Sequence, residues 1–383
     1  MIWRFIEVER VFIIAVTCWA LSSTALAGEP RLNQIQVIGS HNSYHIAADP
    51  GVMSLIAASG ARRAESIDYT HPPLAEQFSQ LGIRQVELDV YADPKGGLFA
   101  SPSARKVLKG LKKDPGPDPN AHGQLAKPGL KVLHVPDVDF RSTTPTFIDA
   151  LKQIRSWSQA NPRHVPILIQ VELKDEAIST LPTRPVRFER EQIDAVDAEI
   201  MSVFAQTEII TPDRIRGRFA TLPEAIRAQG WPALDDVRGL VIFALDNEGS
   251  LRDLYLEGHE ALKGRVMFAT VEPSNPAAAW FKINDPIKDF DRIQHLVREG
   301  YLVRTRADAD TRQARAGDIT QRDKALASGA QFISTDYARA DRRFSDYSVR
   351  FPDGQVARSN PVSGEHPWSQ IDLESSKSGS GAK

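Results

Sequence analysis

The sequence predicts an α/β fold: a TIM-like (β/α)8 barrel with loop insertions at the C-terminal face of its strands. Three observations lead there. Short apolar runs recur along the chain, each bounded by Gly, Pro or charge, as parallel strands buried on both faces require. Amphipathic stretches of helical period lie between them. No internal repeat or interdomain linker interrupts the series. The expected strands are Gln34–Ile38, Arg84–Val90, Leu130–Val135, Pro166–Leu173, Gly239–Leu245, Arg265–Thr270, Tyr301–Thr305 and Gln331–Ser334. A doubly wound open sheet is the alternative. No G-x-G-x-x-G follows the first strand, so a dinucleotide site has no support.

The crossovers read as helices. Leu74, Phe78 and Leu81 repeat at helical spacing, as do Phe147, Leu151 and Ile154 behind the start signal Thr144-Pro145-Thr146. Ile193, Val196, Ile200 and Phe204 form another stripe, and Leu222–Ile226, Ile293–Val297 and Lys324–Ala327 fit the remaining crossovers. All are expected to face the sheet. Two insertions, 44–73 and 92–128, follow the first and second strands. The second carries Lys106, Lys109, Lys112 and Lys113 before a breaker-rich Asp114–Pro119. Both are expected where the strands end, as solvated loops or as a lid meeting an anionic surface.

The termini bound the domain. Val11–Ala20 is apolar, Arg4 and Arg10 precede it, and Ala25-Leu26-Ala27 has the small-x-small form of a cleavage site. Residues 1–27 are therefore expected to be a signal peptide, cleaved near Ala27, that exports the chain to the periplasm or the medium. The run falls short of the ~20 residues a full span needs. Residues 28–360 then form one barrel, and 361–383, ending in a Ser- and Gly-rich tract from Ser375, a disordered tail. The net charge of -2 gives no electrostatic case for nucleic acid. Nothing implies an obligate protein partner. The single cysteine, Cys18, excludes an intrachain disulfide and a thiolate zinc site.

The chemistry gathers at strand ends. Gly39 lets the backbone leave the first strand in a conformation a side chain would forbid, and His41 and Asn42 follow. Glu87 and Asp89 interrupt the second strand, His134 follows Lys131-Val132-Leu133, and Glu172 and Lys174 end the fourth. Carboxylates in such runs are costly unless paired or bound to a cation. Glu87 and Asp89 are two apart and share a side, as do Glu172 and Lys174. In a closed barrel that side is the interior at the top. Three carboxylates and the Asn42 carboxamide oxygen make a hard, all-oxygen set suited to Ca2+, with Mg2+ as second choice. Zinc fits poorly without thiolates. A metal, two imidazoles and a lysine suit displacement at a phosphodiester, with one base, one acid and Lys174 as added positive charge. Glu87 is a second candidate for the base. Arg304 and Arg306 share a face of the seventh strand and could hold phosphate or hydroxyls, Arg306 being nearer the end. Asp336 and Tyr337 end the eighth, where the tyrosine could lie against a sugar ring. The other seven histidines, His45 and His71 among them, are given no role.

At these residues the sequence resembles a known family. Ser40-His41-Asn42-Ser43-Tyr44, Val86-Glu87-Leu88-Asp89-Val90, His134 and Leu168-Ile169-Gln170-Val171-Glu172 are similar to the catalytic half of phosphoinositide-specific phospholipase C, in particular its calcium-dependent bacterial branch. The resemblance implies a TIM-like barrel, a Ca2+ held by Asn42, Glu87, Asp89 and Glu172, and two catalytic histidines, His41 and His134. It also implies attack of the inositol 2-hydroxyl on phosphorus, releasing diacylglycerol and a cyclic inositol phosphate. It requires residues 92–128 to loop out between Asp89 and His134. Transient contact with a membrane surface follows from a phospholipid substrate.

Two further readings stand beside this one. Glu172-Leu173-Lys174 and Gly329–Tyr337 are similar to segments of glycerophosphodiester phosphodiesterases, which would act on another headgroup. Asn42 after the first histidine favours the phospholipase, because the phosphodiesterases more often carry arginine there. A non-enzymatic binding barrel is the third, and the full polar set argues against it.

Overall fold

A computed structural model describes residues 29–364 and 372–375. The expected signal peptide lies outside them. No helix among the described residues is long and apolar enough to cross a membrane.

Eight parallel strands form the frame: β1 (Ile35–Ser40), β2 (Gln85–Tyr91), β3 (Ile167–Leu173), β4 (Val241–Leu245), β5 (Met267–Ala269), β6 (Trp280–Lys282), β7 (Leu302–Arg306) and β8 (Phe332–Thr335). Their lateral order is β5-β4-β3-β2-β1-β8-β7-β6, so neighbours in sequence are neighbours in space. This is a nearly closed barrel. The seam falls between β5 and β6, where the Lys282 amide donates to the Thr270 hydroxyl at 2.9 Å. Every residue of β1 and β2 is buried, including the polar Gln36, Gln85, Glu87 and Asp89 that interrupt their apolar runs. Each buried branched side chain there contributes ~1.5–3 kcal/mol.

Seven of the eight expected strands are present. The third is not a barrel strand. Only Lys131–Val132 is extended, and it pairs antiparallel to the end of β2, Val90 opposite Val132. The missing barrel strand is Trp280–Lys282, preceded by Ala277-Ala278-Ala279. That run is apolar but three residues long as a strand, too short for a period to register.

The crossover helices follow the stripes. Leu74–Leu81, Phe147–Ala160, Arg190–Val203, Leu222–Gln229, Phe290–Arg298 and Thr320–Ala327 carry them. Thr146 caps its helix by accepting from the Asp149 amide. The 44–73 insertion folds into helices Pro50–Ser59 and Ala61–Ser66, and the 92–128 insertion contains the lysine-bearing helix Ser103–Gly110. Val52, Ile56, Ala104 and Leu108 join the two in a small core of their own.

Gly39 is needed for a different reason from the expected one. It sits inside β1 rather than at an unusual turn. A Cβ there would come within 1.8 Å of the Gln85 Oε1, so the residue lets β2 close on β1. The left-handed backbone comes later, at Asn42, with φ 43°. The stretch expected to be a disordered tail is also partly placed. Leu373 is fully buried, and Glu374 pairs in bidentate fashion with the buried Arg84 guanidinium and accepts from the Val165 amide at 3.1 Å.

Candidate active site

β2 and β3 run in register, with Glu87 opposite Gln170 and Asp89 opposite Glu172. The side-chain period of two sends these groups into the barrel mouth. Carboxylate oxygens of Glu87, Asp89 and Glu172 lie within 4.8 Å of one another. Both Asp89 oxygens and the Asn42 carboxamide oxygen are buried without a hydrogen-bond partner. Asn42 donates its amide to the Tyr69 hydroxyl at 3.3 Å, which leaves its oxygen free to accept a cation. Burial pushes the Glu87 and Asp89 carboxyls up to about 8 each; Arg304 partly offsets this at Glu87, and the Glu172 charge adds to it at Asp89. Acids so placed are stabilised as carboxylates by a bound dication. The oxygen-only donor set, the orphaned oxygens and their spacing all fit Ca2+.

Lys174 stands at the rim of this set. Its Nζ lies 3.1 Å from Glu172 and 3.4 Å from Asp89. Burial works against its charge, but the two carboxylates outweigh burial and hold the ammonium well above its ordinary range. Arg304, expected to face substrate, instead donates to Glu87 at 2.6 Å and to the Ser334 hydroxyl at 3.1 Å, and contacts Asn284. With 1% exposure it holds Glu87 from behind.

His41 leaves β1 beside this set. Its Nδ1 lies 2.8 Å from Asp336, and its Nε2 lies 3.5 Å from Glu87 and 3.3 Å from the Arg306 guanidinium. Since a carboxylate only accepts, Nδ1 carries the proton and Nε2 offers its lone pair. Burial and the Arg306 charge push the ring down to about 3, so it is neutral at working pH. Asp336 is held well below the carboxylate range: burial raises it, but His41 and Arg306, the latter at 3.2 Å, outweigh that. Asp336 thus anchors a histidine. Tyr337 packs edge-on to Tyr347 with centroids 6.1 Å apart and, with Tyr69 and Asp336, lines a cavity of about 320 Å³.

His134 stands across the mouth. Its Nδ1 lies 2.7 Å from Asp139, five residues on. It borders two cavities. One of about 290 Å³ contains Glu172, Lys174 and Tyr91. The other, of about 730 Å³, is apolar and lined by Leu55, Ile56, Ile67, Val138 and Leu181.

The structure therefore brings His41, Asn42, Glu87, Asp89, Glu172, Lys174 and Arg306 to one mouth with His134 on its edge. Sequence reasoning missed Asp139, which lies on a loop with no period, and the Asp246–Lys282 pair at 2.7 Å beside Gln170. An Asp that closes the apolar run Val241–Leu245 was the available signal for Asp246.

A parallel barrel whose mouth combines an oxygen-rich cation set with two aspartate-anchored imidazoles is a metal-dependent phosphodiesterase. The model of the family described as phosphoinositide phospholipase C, Ca2+-dependent, matches residues 30–361. The chain belongs to that family, and its metal is calcium. Among solved structures it is similar to a Ca2+-dependent phosphatidylinositol-specific phospholipase C from Streptomyces antibioticus, with 18% identity, TM-score 0.48, and 80% of this chain and 95% of that one covered. It is also similar to a calcium-dependent phosphoinositol-specific phospholipase C from a Gram-negative Pseudomonas species, in its apo form, with 15% identity, TM-score 0.49, and 86% and 95% covered. No match is found among curated proteins.

Proposed function

We propose that the exported chain cleaves phosphatidylinositol at the phosphorus–glycerol bond, with Asn42, Glu87, Asp89 and Glu172 as the calcium ligands. The observation that carries this is the orphaned oxygen set lying against His41. Bound calcium supplies charge neutralisation at the phosphate and acidifies the attacking hydroxyl. The protein's own groups do the rest. His41 is neutral, with its Nε2 lone pair facing Arg306 at 3.3 Å and Glu87 at 3.5 Å, so when the phosphate engages Arg306 it takes the proton of the inositol 2-hydroxyl as the new O–P bond forms. Asp336 holds the tautomer and stabilises the imidazolium. Arg306, beside Nε2, meets the phosphate oxygens, and Lys174 adds charge from the opposite rim. His134 borders the apolar cavity, where the acyl-bearing side of the substrate belongs, so it protonates the departing glycerol oxygen. The products are diacylglycerol and a cyclic inositol phosphate. Arg304 holds the Glu87 carboxylate in place from behind. The lysine-bearing helix Ser103–Gly110 makes the transient contact with the lipid surface.

Product analysis on phosphatidylinositol with and without Ca2+ tests the reading. Cyclic inositol phosphate is expected only with calcium. Full turnover in excess chelator would sink the metal assignment, and cleavage of glycerophosphocholine in preference to phosphatidylinositol would sink the headgroup.

A further inference from the structure

His41 and His134 are each anchored through Nδ1 to a buried aspartate, and the far side of each aspartate meets a cation-forming group. For Asp336 it is Arg306. For Asp139 it is His45, whose Nε2 lies 2.9 and 3.0 Å from the two carboxylate oxygens. The Nδ1 of His45 lies 3.0 Å from the Tyr69 carbonyl oxygen. A carbonyl and a carboxylate are both acceptors only. A fully buried ring between them must carry a proton on each nitrogen, which makes it an imidazolium. We infer that His45 is the counter-cation of Asp139, so that the carboxylate which anchors His134 belongs to an electrically neutral pair.

The surroundings agree. The Tyr69 ring stacks on His45 with centroids 4.4 Å apart, and an aromatic face suits a cation. Asp139 stays ionised: burial alone would raise it, but His45 and His134 outweigh burial and draw it well below the carboxylate range. Tyr44 and Tyr69 face the cluster from the segments after β1 and before Leu74, and Tyr91 faces it from β2. Burial raises all three phenols, so they remain neutral. His71, edge-on to Tyr69, is pushed down to about 4 by burial and adds no charge. Beyond His134, Glu172 and Lys174 are paired with each other. Arg63 borders the apolar cavity on the far side.

The consequence is a brake on His134. An uncompensated Asp139 would stabilise protonated His134 too strongly for it to release its proton. His45 opposes this from a centroid distance of 5.8 Å. At an effective dielectric of ~20, one unit charge at that distance is equivalent to about two pH units. Arg306 plays the same part for His41 with a permanent charge.

The inference rests on the acid role proposed for His134, and the test separates the two. His45→Gln keeps an N–H for Asp139 and removes the charge, so a purely structural tether would survive it. In H45Q the alkaline limb of the kcat–pH profile on phosphatidylinositol is expected to move up by about two units, with KM within twofold of wild type. The titration of the His134 ring, followed by NMR, is expected to move with it. In wild-type enzyme at pH 7.5, 15N-edited spectra are expected to find protons on both ring nitrogens of His45, which needs no variant to fold. A singly protonated His45, or a His134 titration that moves by less than half a unit in folded H45Q, overturns the inference. Full activity in His134→Ala overturns the acid role instead, and the His45 spectrum still decides the charge.

Discussion

Asp336→Asn isolates one interaction, because the carboxylate has two fixed partners. His41 donates to one oxygen at 2.8 Å and Arg306 to the other at 3.2 Å. In the variant the amide oxygen must face Arg306, since an NH2 group against a guanidinium would oppose donor to donor. The NH2 group then faces His41 Nδ1 and forces the proton onto Nε2. The lone pair that accepts the inositol hydroxyl proton now points at the wrong partner. The variant also loses the negative charge that stabilises the imidazolium, worth ~4 kcal/mol at about 4 Å and an effective dielectric of ~20. The expected loss in kcat is about 10³–10⁴-fold, or ~4–5.5 kcal/mol of barrier, comparable to the same exchange in a Ser-His-Asp triad. The assay is turnover of phosphatidylinositol in mixed micelles at saturating calcium. Calcium affinity, measured by calorimetry, should stay within twofold, because no contact joins Asp336 to Asp89 or Glu172. A D336N enzyme with more than a tenth of wild-type kcat would refute the reasoning.

Asp89→Asn should lower calcium affinity by at least 10²-fold in calorimetry and yet raise the melting temperature in chelator, because it removes a carboxylate that burial and the Glu172 charge oppose more than the Lys174 ammonium at 3.4 Å, shared with Glu172, favours it. Gly39→Ala should destabilise the fold by about 1–3 kcal/mol in urea titrations, since its Cβ would overlap Gln85; Gln85→Ala should not rescue it, because the Gln85 Cβ that this variant keeps itself lies 2.7 Å from the added atom. His164 should make stability pH-dependent: burial pushes it down to about 4 from an unfolded value near 6.5, so between these the unfolded chain binds a proton that the fold does not. Stability from this source is full above about pH 6.5 and falls by ~3 kcal/mol as pH drops through 4, a slope that should disappear from urea midpoints in His164→Gln.

The barrel was legible because seven of its strands are buried and leave short, apolar-rich runs bounded by Gly, Pro or charge. Trp280–Lys282 left no such trace, being short and held at the seam by a side-chain hydroxyl. Leu130–Val135 misled for the opposite reason: it is apolar and buried, but it turns back antiparallel against β2, a tertiary choice that local pattern does not carry. The acidic ligands were legible because a carboxylate inside an apolar strand conflicts with burial, and the conflict itself is the signal. Asp139 and His45 sit on loops, where polar residues conflict with nothing. Arg304 and Asp336 were found as residues but not as neighbours, and their work depends on whom they touch: Glu87 in one case, His41 in the other.

The C-terminal segment has a consequence for how the chain can be shortened. A cut after Asn360, where the periodic pattern ends, would remove Leu373 from the core and Glu374 from Arg84. The Arg84 guanidinium would keep the Phe78 carbonyl at 3.0 Å and the Trp157 ring at 4.7 Å, but lose its counter-charge in a buried setting. Glu374 reaches both Arg84 and the Val165 amide, so it fastens together the N-terminal ends of two adjacent strands, at the pole opposite the catalytic mouth. Truncated enzyme would therefore keep every catalytic group and still unfold earlier: durability is written at one end of this barrel and reactivity at the other.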